Sequence, residues 1–202
     1  MAAPSWRSAL EEYIRREAQP PEKFGHQPRL YELTRQIGQG IAYDDEVVCA
    51  AVWLHDLGVF TGHRPEDLEE LKRWDNTAYA IAKAPALLNS FGFPQHKIPA
   101  VLECIRTHQP SFSPESIEAT ILRDADILEQ LGAVGILRTV CKVGRDTRFA
   151  TFTQAAASLQ KALDTLPALL LLPASRALAE DRIHIHRAFL QAVTVEAQDS
   201  LY

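Results

Sequence analysis

Cysteine is scarce in this sequence, and the few cysteines lie far apart. Cys49, Cys104 and Cys141 are the three among 202 residues, and each falls in an apolar stretch with helical spacing. A framework of disulfide bonds is therefore excluded. We expect three buried free thiols that behave as small apolar side chains.

Long apolar runs are also missing. The segment after Pro4 is charged and amphipathic, unlike the apolar core of a secretory signal peptide. Residues 166–173 form an apolar run, but it is too short to cross a bilayer. These two absences predict a cytoplasmic protein with no membrane partner.

An excess of positive charge is absent too. The formal net charge is −5, with 23% charged and 47% hydrophobic residues. This acidic balance argues against a surface for duplex nucleic acid, although it is compatible with a small basic pocket for a phosphate. Because domains usually contain about 100 to 200 residues, we expect one domain over residues 1–202.

Strand signals are lacking, whereas helix boundaries recur along the chain. Ser5 and Asp44 can each cap a helix, Pro65 can open one and Gly58 can end one. Two further helices are expected between about 153 and 197, packing on the same core. The pattern predicts an all-α bundle.

Two residues with metal-ligand chemistry stand side by side at the end of an apolar helical run. His55 and Asp56 follow Leu54 and precede Leu57 and Gly58. Burying an imidazole or a carboxylate without a partner costs several kcal/mol, and a shared divalent cation would remove that cost for both. A dipeptide is a weak motif, so its weight depends on further ligands elsewhere.

Further ligand candidates lie at helix positions before and after this pair. His26 stands at the start of a helix that Pro28 can open, and Asp126 lies within a later helix. The order of His, His-Asp and a distant Asp resembles the HD-domain superfamily of metal-dependent phosphohydrolases, in particular its small bacterial stand-alone members. Their flanks are similar as well: His-x-x-Arg-Leu from His26, Leu-His-Asp-Leu-Gly around His55, and Asp-Ala-Asp-x-Leu from Asp124.

The resemblance implies an all-α HD-domain bundle with four metal ligands. These would be His26, His55, Asp56 and Asp126, holding one divalent ion, which could be Mn, Fe, Co, Ni, Zn or Mg. Asp126 fits the family's ligand position better than Asp124. Because two residues on a helix point about 200° apart, both cannot reach one ion, and Asp124 is expected to be a polar neighbour or a cap.

A second ion is not expected. Two-metal members of the superfamily need further histidines after the His-Asp pair, and this chain has Trp74 and Asp75 near the position of such a His. Asp75 could coordinate a second ion, assisted by His63 or His108, but a bridged pair of ions generally needs several ligands beyond the first four.

A mixed nitrogen and oxygen site of this kind can activate water and polarise a phosphoryl oxygen. The predicted function is therefore a metal-dependent phosphohydrolase for a nucleotide or another small phosphate ester. Asp56 is the candidate proton acceptor. The candidate substrate contacts are Arg29, Arg123, His108, His63 and Lys72, among which the two arginines lie three residues from a ligand on the same helix face.

Two other functions stay open at this point. Some relatives carry an acidic residue shortly after the His-Asp pair, whereas here Leu57 to Gly62 contains none. That departure favours a regulatory HD protein that binds a metal or nucleotide without turnover. An iron-dependent oxygenase on the same scaffold is the third alternative, although its additional histidine ligands are not found.

The histidines near the carboxyl end are predicted to be unrelated to the site. His184 and His186 lie two residues apart on a helix, hence on nearly opposite faces. Because they cannot share a metal, we expect both at the surface.

Overall fold

Helices form the regular structure of this chain. The computed structural model describes residues 5–145, 148–198 and 200–202. Within them, two isolated bridges, Thr61 with Arg64 and Val143 with Phe149, are the only β-type pairing. The α-helices are α1 (Trp6–Glu17), α2 (His26–Ile37), α3 (Asp45–Leu54), α4 (Leu68–Lys72), α5 (Asn76–Ser90), α6 (Ile98–Thr107), α7 (Ile117–Glu129), α8 (Gly132–Val140), α9 (Phe152–Thr165) and α10 (Pro173–Ala197). The all-α prediction is confirmed.

Side-chain caps fix several helix starts. Ser5 accepts a hydrogen bond from the Ser8 amide at the start of α1, as its position predicts. Asp44 likewise accepts from the first amides of α3. The expected start of α4 at Pro65 is wrong, since Asp67 accepts from the amides of the first turn and the helix begins one residue later. The two hydrogen bonds that the Asp67 carboxylate accepts determine where the helix begins, and the φ angle that Pro65 favours does not.

The chain divides into two compact units, residues 1–123 and 124–202. In the first, α3 lies at the centre: every residue from Val47 to Leu54 is buried, and the helix packs against α1, α2 and α6. A run that is apolar all round its helix needs such a position. The expectation of one domain over the whole chain stays a prediction.

A polar network joins three helices of the first unit. The Arg7 guanidinium donates to the Tyr31 hydroxyl at 3.0 Å and to the Asp45 carboxylate at 2.8 Å. Tyr31 in turn donates to Asp45 at 2.9 Å. Burial, together with the nearby Cys49 and Asp45, raises the pKa of Tyr31, so its hydroxyl stays a donor at neutral pH. Because these residues stand on α1, α2 and α3, the network holds the start of α3 in place.

The second unit is built from α8, α9 and α10 around a separate apolar cluster. Ile136, Leu159, Leu163 and Leu190 form its buried centre. The expectation that His186 lies at the surface is wrong: it has no exposed surface, whereas His184 is exposed as expected. His186 is three residues after Ile183 and four before Leu190, which places it on the inward face of α10.

The three cysteines differ in burial. Cys49 and Cys104 are buried free thiols, and burial raises the pKa of the Cys49 thiol to about 11. The prediction for Cys141 is wrong, because this thiol is exposed just beyond the end of α8. No helix among the described residues is both long enough and apolar enough to cross a bilayer.

Candidate metal centre

The end of α3 brings the adjacent His55 and Asp56 to one point. The His55 amide donates to the Ala51 carbonyl at 2.9 Å, so the backbone is still helical at the histidine. The chain then leaves the helix at Asp56, whose backbone has φ −100° and ψ 13°. This change of direction turns the two neighbouring side chains toward the same side. Only 1% of the His55 surface is exposed, whereas 22% of the Asp56 side chain remains open.

The first residue of α2 supplies the third group. His26 is buried, and its Nε2 lies 3.3 Å from Nε2 of His55. The Asp56 Oδ2 lies 3.6 Å from the His26 nitrogen and 3.5 Å from the His55 nitrogen. The three side chains therefore offer ligand atoms within 4.8 Å of one another. The sequence predicts these three as ligands, and the fold brings all three together.

Hydrogen bonding fixes the tautomer of His55. Its Nδ1 lies 2.9 Å from the Val52 carbonyl, which can only accept, so Nδ1 carries the proton. The lone pair is left on Nε2, which faces His26 and Asp56. Anchoring the outer nitrogen of an imidazole to a carbonyl is typical of metal-binding histidines.

The spacing of the three ligand atoms fits a single cation. Two atoms that bind one ion at about 2.1 Å lie about 3.0 to 3.4 Å apart at octahedral or tetrahedral angles. The observed separations of 3.3, 3.5 and 3.6 Å are close to this range. A lone pair on one imidazole and a carboxylate oxygen repel each other at such distances unless a positive charge lies between them. The donor set therefore suits a divalent metal ion.

A third imidazole lies beside His55. The rings of His108 and His55 meet edge to face, with their centroids 5.1 Å apart, and His108 is 4% exposed. Its Nδ1 donates to the Ile105 carbonyl at 2.6 Å, so its Nε2 also carries a lone pair. The structure thus places His108, a predicted substrate contact, beside His55, a candidate metal ligand.

The two arginine candidates have different surroundings. Arg29 is exposed on α2, three residues after His26. Arg123 is buried, and its guanidinium donates to the Pro110 carbonyl at 2.9 Å. Part of the Arg123 donor capacity is thus used to hold the loop that follows His108.

The other two candidate contacts bind protein groups. His63 lies 2.9 Å from the Tyr79 hydroxyl and 3.1 Å from the Glu17 carboxylate, so both of its nitrogens have partners. Lys72 is exposed and pairs with Glu69 at 2.7 Å on the same helix. Their roles as substrate contacts stay predictions.

The two aspartates on α7 differ as their spacing predicts. Asp124 is fully buried and accepts hydrogen bonds from the amides of Leu171 and Leu172, where α10 begins. This is the capping role expected for it. Asp126 is half-buried, with Gln130 donating to its carboxylate at 3.4 Å. The role of Asp126 as fourth metal ligand stays a prediction.

Sequence reasoning missed the residues that pack against Gly58 and thereby hold the segment after Asp56 in place. Trp74 donates its indole N–H to the Gly58 carbonyl at 2.8 Å, two residues after Asp56. A Cβ on Gly58 would come within 2.6 Å of the Asn76 carbonyl oxygen, so only glycine fits there. The sequence predicts only a helix stop at Gly58. A glycine directly after a ligand pair is the signal that could have indicated a close approach of two backbones.

The model of the HD domain family matches residues 24–131 of this sequence, more than half of the chain. The chain belongs to the HD-domain family. The matched range contains His26, His55, Asp56 and Asp126, the four ligands predicted from the resemblance, and also His108.

Several solved structures share the fold over nearly the whole chain. Bacillus subtilis YpgQ in complex with ADP is 21% identical, with a TM-score of 0.70 covering 96% of this chain and 98% of that one. An HD-superfamily hydrolase from Bacillus thuringiensis is 18% identical, with a TM-score of 0.68 over 96% and 97%. A protein from an uncultured Thermotogales bacterium, described as a predicted HD superfamily hydrolase, is 23% identical, with a TM-score of 0.64 over 94% and 91%. Among curated proteins, no sequence matches this HD-domain protein.

Proposed function

We propose that this HD-domain protein is a metal-dependent phosphohydrolase that acts on a nucleotide or another small phosphate ester. The observation that carries the proposal is the convergence of His26, His55 and Asp56, with the His55 tautomer set by Val52. The ADP in the structure of YpgQ, which shares the fold, supports a nucleotide as the substrate class.

The donor set limits which metal ions can bind but does not identify one. Two imidazole nitrogens and carboxylate oxygens suit Mn²⁺, Fe²⁺, Co²⁺, Ni²⁺, Zn²⁺ or Mg²⁺, with Asp126 as the proposed fourth ligand. When bound, such an ion supplies Lewis acidity, which lowers the pKa of a water molecule and polarises a phosphoryl oxygen.

The protein side chains would then orient the substrate and handle protons. The Asp56 carboxylate, more open than either histidine, is the proposed proton acceptor from the attacking water. His108 is a proposed substrate contact, because its ring lies against that of His55. Arg29 and Arg123 are the proposed phosphate contacts, since a guanidinium binds two phosphate oxygens at once. His63 and Lys72 complete the proposed set.

One observation keeps binding without turnover as the second candidate. Residues Leu57 to Val59 form a short 3₁₀ turn, with Leu57 fully buried, at a position where some HD-domain hydrolases carry an acidic residue. If Asp56 cannot serve as proton acceptor, the protein would bind a metal and a nucleotide without hydrolysing them.

Metal analysis combined with a hydrolysis screen tests the proposal. Metal-free protein titrated with Mn²⁺ should reach a plateau near one equivalent per chain and should hydrolyse at least one member of a panel of nucleotides and simple phosphate esters. Hydrolysis should stop when the metal is chelated. One equivalent of metal with no turnover of any ester would support the binding protein instead, and a plateau at two equivalents would contradict the single site.

A further inference from the structure

The first unit carries a cleft of about 190 Å³ between the start of α5 and the end of α6. Asp75, Thr77 and Ile81 line one wall, and Arg106, Gln109 and Phe112 line the other. The Gln109 amide donates to the Thr77 hydroxyl at 3.1 Å, which joins the two walls at one point. This volume accommodates a group the size of an aromatic ring system.

Each wall of the cleft is next in sequence to a residue that packs close to the candidate metal centre. The first wall surrounds Asn76, whose backbone packs directly on Gly58, two residues after Asp56. The second continues from His108, the residue before Gln109, whose ring lies 5.1 Å from that of His55. A substrate with its phosphate at the metal centre could therefore extend its other end into the cleft.

The cleft contains both an exposed aromatic ring and two charges that are not paired. Phe112 keeps 47% of its surface exposed, so one face of its ring is open to a ligand. Within the described part of the chain, the Arg106 guanidinium makes no ion pair or side-chain hydrogen bond. Asp75 uses one carboxylate oxygen to cap α5, accepting from Ala78 at 2.9 Å, and it forms no ion pair with the residues that the structure describes.

This combination excludes the simpler ligands. A phosphate group alone would be repelled by Asp75 and would not use an aromatic ring. A purely apolar group would remove water from both charges without supplying an opposite charge or a hydrogen bond, at a cost in free energy. A nucleobase satisfies all three features, because its face stacks on an aromatic ring while its edge presents donors and acceptors together.

We infer that the cleft is the base-binding subsite of a nucleotide substrate. Phe112 stacks on the base, Asp75 accepts from its N–H groups, and Arg106 donates to its ring acceptors. The inference rests on the proposed function for its biological meaning, but the cleft can be tested without hydrolysis or metal.

Guanosine is the probe, since it has N–H donors for a carboxylate and the O6 and N7 acceptors that a guanidinium prefers, and it contains no phosphate. Metal-free wild-type protein should bind guanosine in a calorimetric or NMR titration. Phe112→Leu, which keeps an apolar side chain of similar size, should weaken binding about fivefold or more, and Arg106→Met should also weaken it. Phe152→Ala is the matched control, because Phe152 is 49% exposed and does not line the cleft.

Kinetics supply the second measurement. The wild-type protein is compared with Phe112→Leu on guanosine triphosphate and on inorganic triphosphate, which has no base. The KM for guanosine triphosphate divided by the KM for inorganic triphosphate should be about fivefold higher in the variant than in the wild-type protein. An equal effect on both substrates, or guanosine binding that the two cleft variants leave intact, would overturn the subsite. The wild-type protein could bind guanosine, and the variants lose this binding, while no ester is hydrolysed. That result would contradict the proposed function and retain the subsite.

Discussion

Two buried histidines, one in each compact unit, have opposite surroundings. His55 is 1% exposed, and its ring meets the side chains of His26, Asp56 and His108. His186 is 0% exposed on α10, and within the described residues neither of its nitrogens has a hydrogen-bond partner of ordinary geometry. Burial lowers the pKa of His186, so that its ring is neutral. Burial of an imidazole thus does not indicate a site, whereas convergence with other ligand atoms does.

The largest effect should come from removing a group of the convergent set. His55→Ala or Asp56→Ala deletes a proposed metal ligand, so metal content should fall below about a tenth of the wild-type value and kcat/KM by at least about a hundredfold. Metal analysis and a hydrolysis assay measure these losses, while circular dichroism should show an intact helical fold. His184→Ala, at an exposed histidine of α10, is the control. Full metal occupancy in both site variants would contradict the assignment.

The two aspartates of α7 sharpen the comparison between a ligand and a buried structural group. Asp126→Asn should lower metal affinity about tenfold or more with little change in stability. Asp124→Asn should leave metal content near normal but lower the free energy of unfolding by about 1 to 3 kcal/mol, because the new amide faces the amides of Leu171 and Leu172. Metal titration and denaturant unfolding of each variant separate the two outcomes. The reverse ranking in metal affinity would show that Asp124 is the ligand.

The stability of the fold should depend on pH through the buried His186. Burial lowers its pKa in the folded state, whereas the unfolded chain has a value of about 6.5, so the unfolded state binds the proton more readily. Stability should therefore fall as the pH drops below about 6.5, by about 1 kcal/mol over one unit. His186→Leu should remove this part of the dependence, as measured by denaturant unfolding at pH 7.5 and 5.5. An unchanged slope in the variant would mean that other groups cause it.

The smallest effect should come from the partly exposed partners of His63. Desolvation raises the pKa of the Glu17 carboxyl, but hydrogen bonds from Arg16 and His63 lower it overall. The carboxylate therefore stabilises the fold at neutral pH and loses this contribution as the pH falls below about 4.5. Glu17→Gln should cost about 0.5 kcal/mol at pH 7 and nothing near pH 3. An equal cost at both pH values would assign the effect to packing instead of charge.

The sequence was sufficient to predict the helices and three of the converging groups. The apolar run that ends in His55-Asp56 predicts a buried pair with metal-ligand chemistry, and the resemblance to the HD-domain superfamily adds His26 as a further ligand. The partners of His63 could not be predicted, because Glu17 and Tyr79 are distant in sequence and only the folded chain brings them together.

The error at His186 has a different cause. Ala179, Ile183, His186 and Leu190 follow helical spacing and form one inward face of α10. The spacing of His184 and His186 shows that they occupy opposite faces, but it does not show which face is buried. The apolar residues three and four positions away contained that information.

Gly58 sets a limit on how this protein can vary. Its α-carbon packs so closely on the backbone of Asn76 that every other amino acid would force the two segments apart, displacing Asp56 on one side and Asp75 on the other. In a library of all single substitutions, this position should tolerate few replacements although glycine carries no chemistry of its own. Attempts to engineer a new substrate preference should therefore vary Arg106 and Phe112 and leave this glycine unchanged.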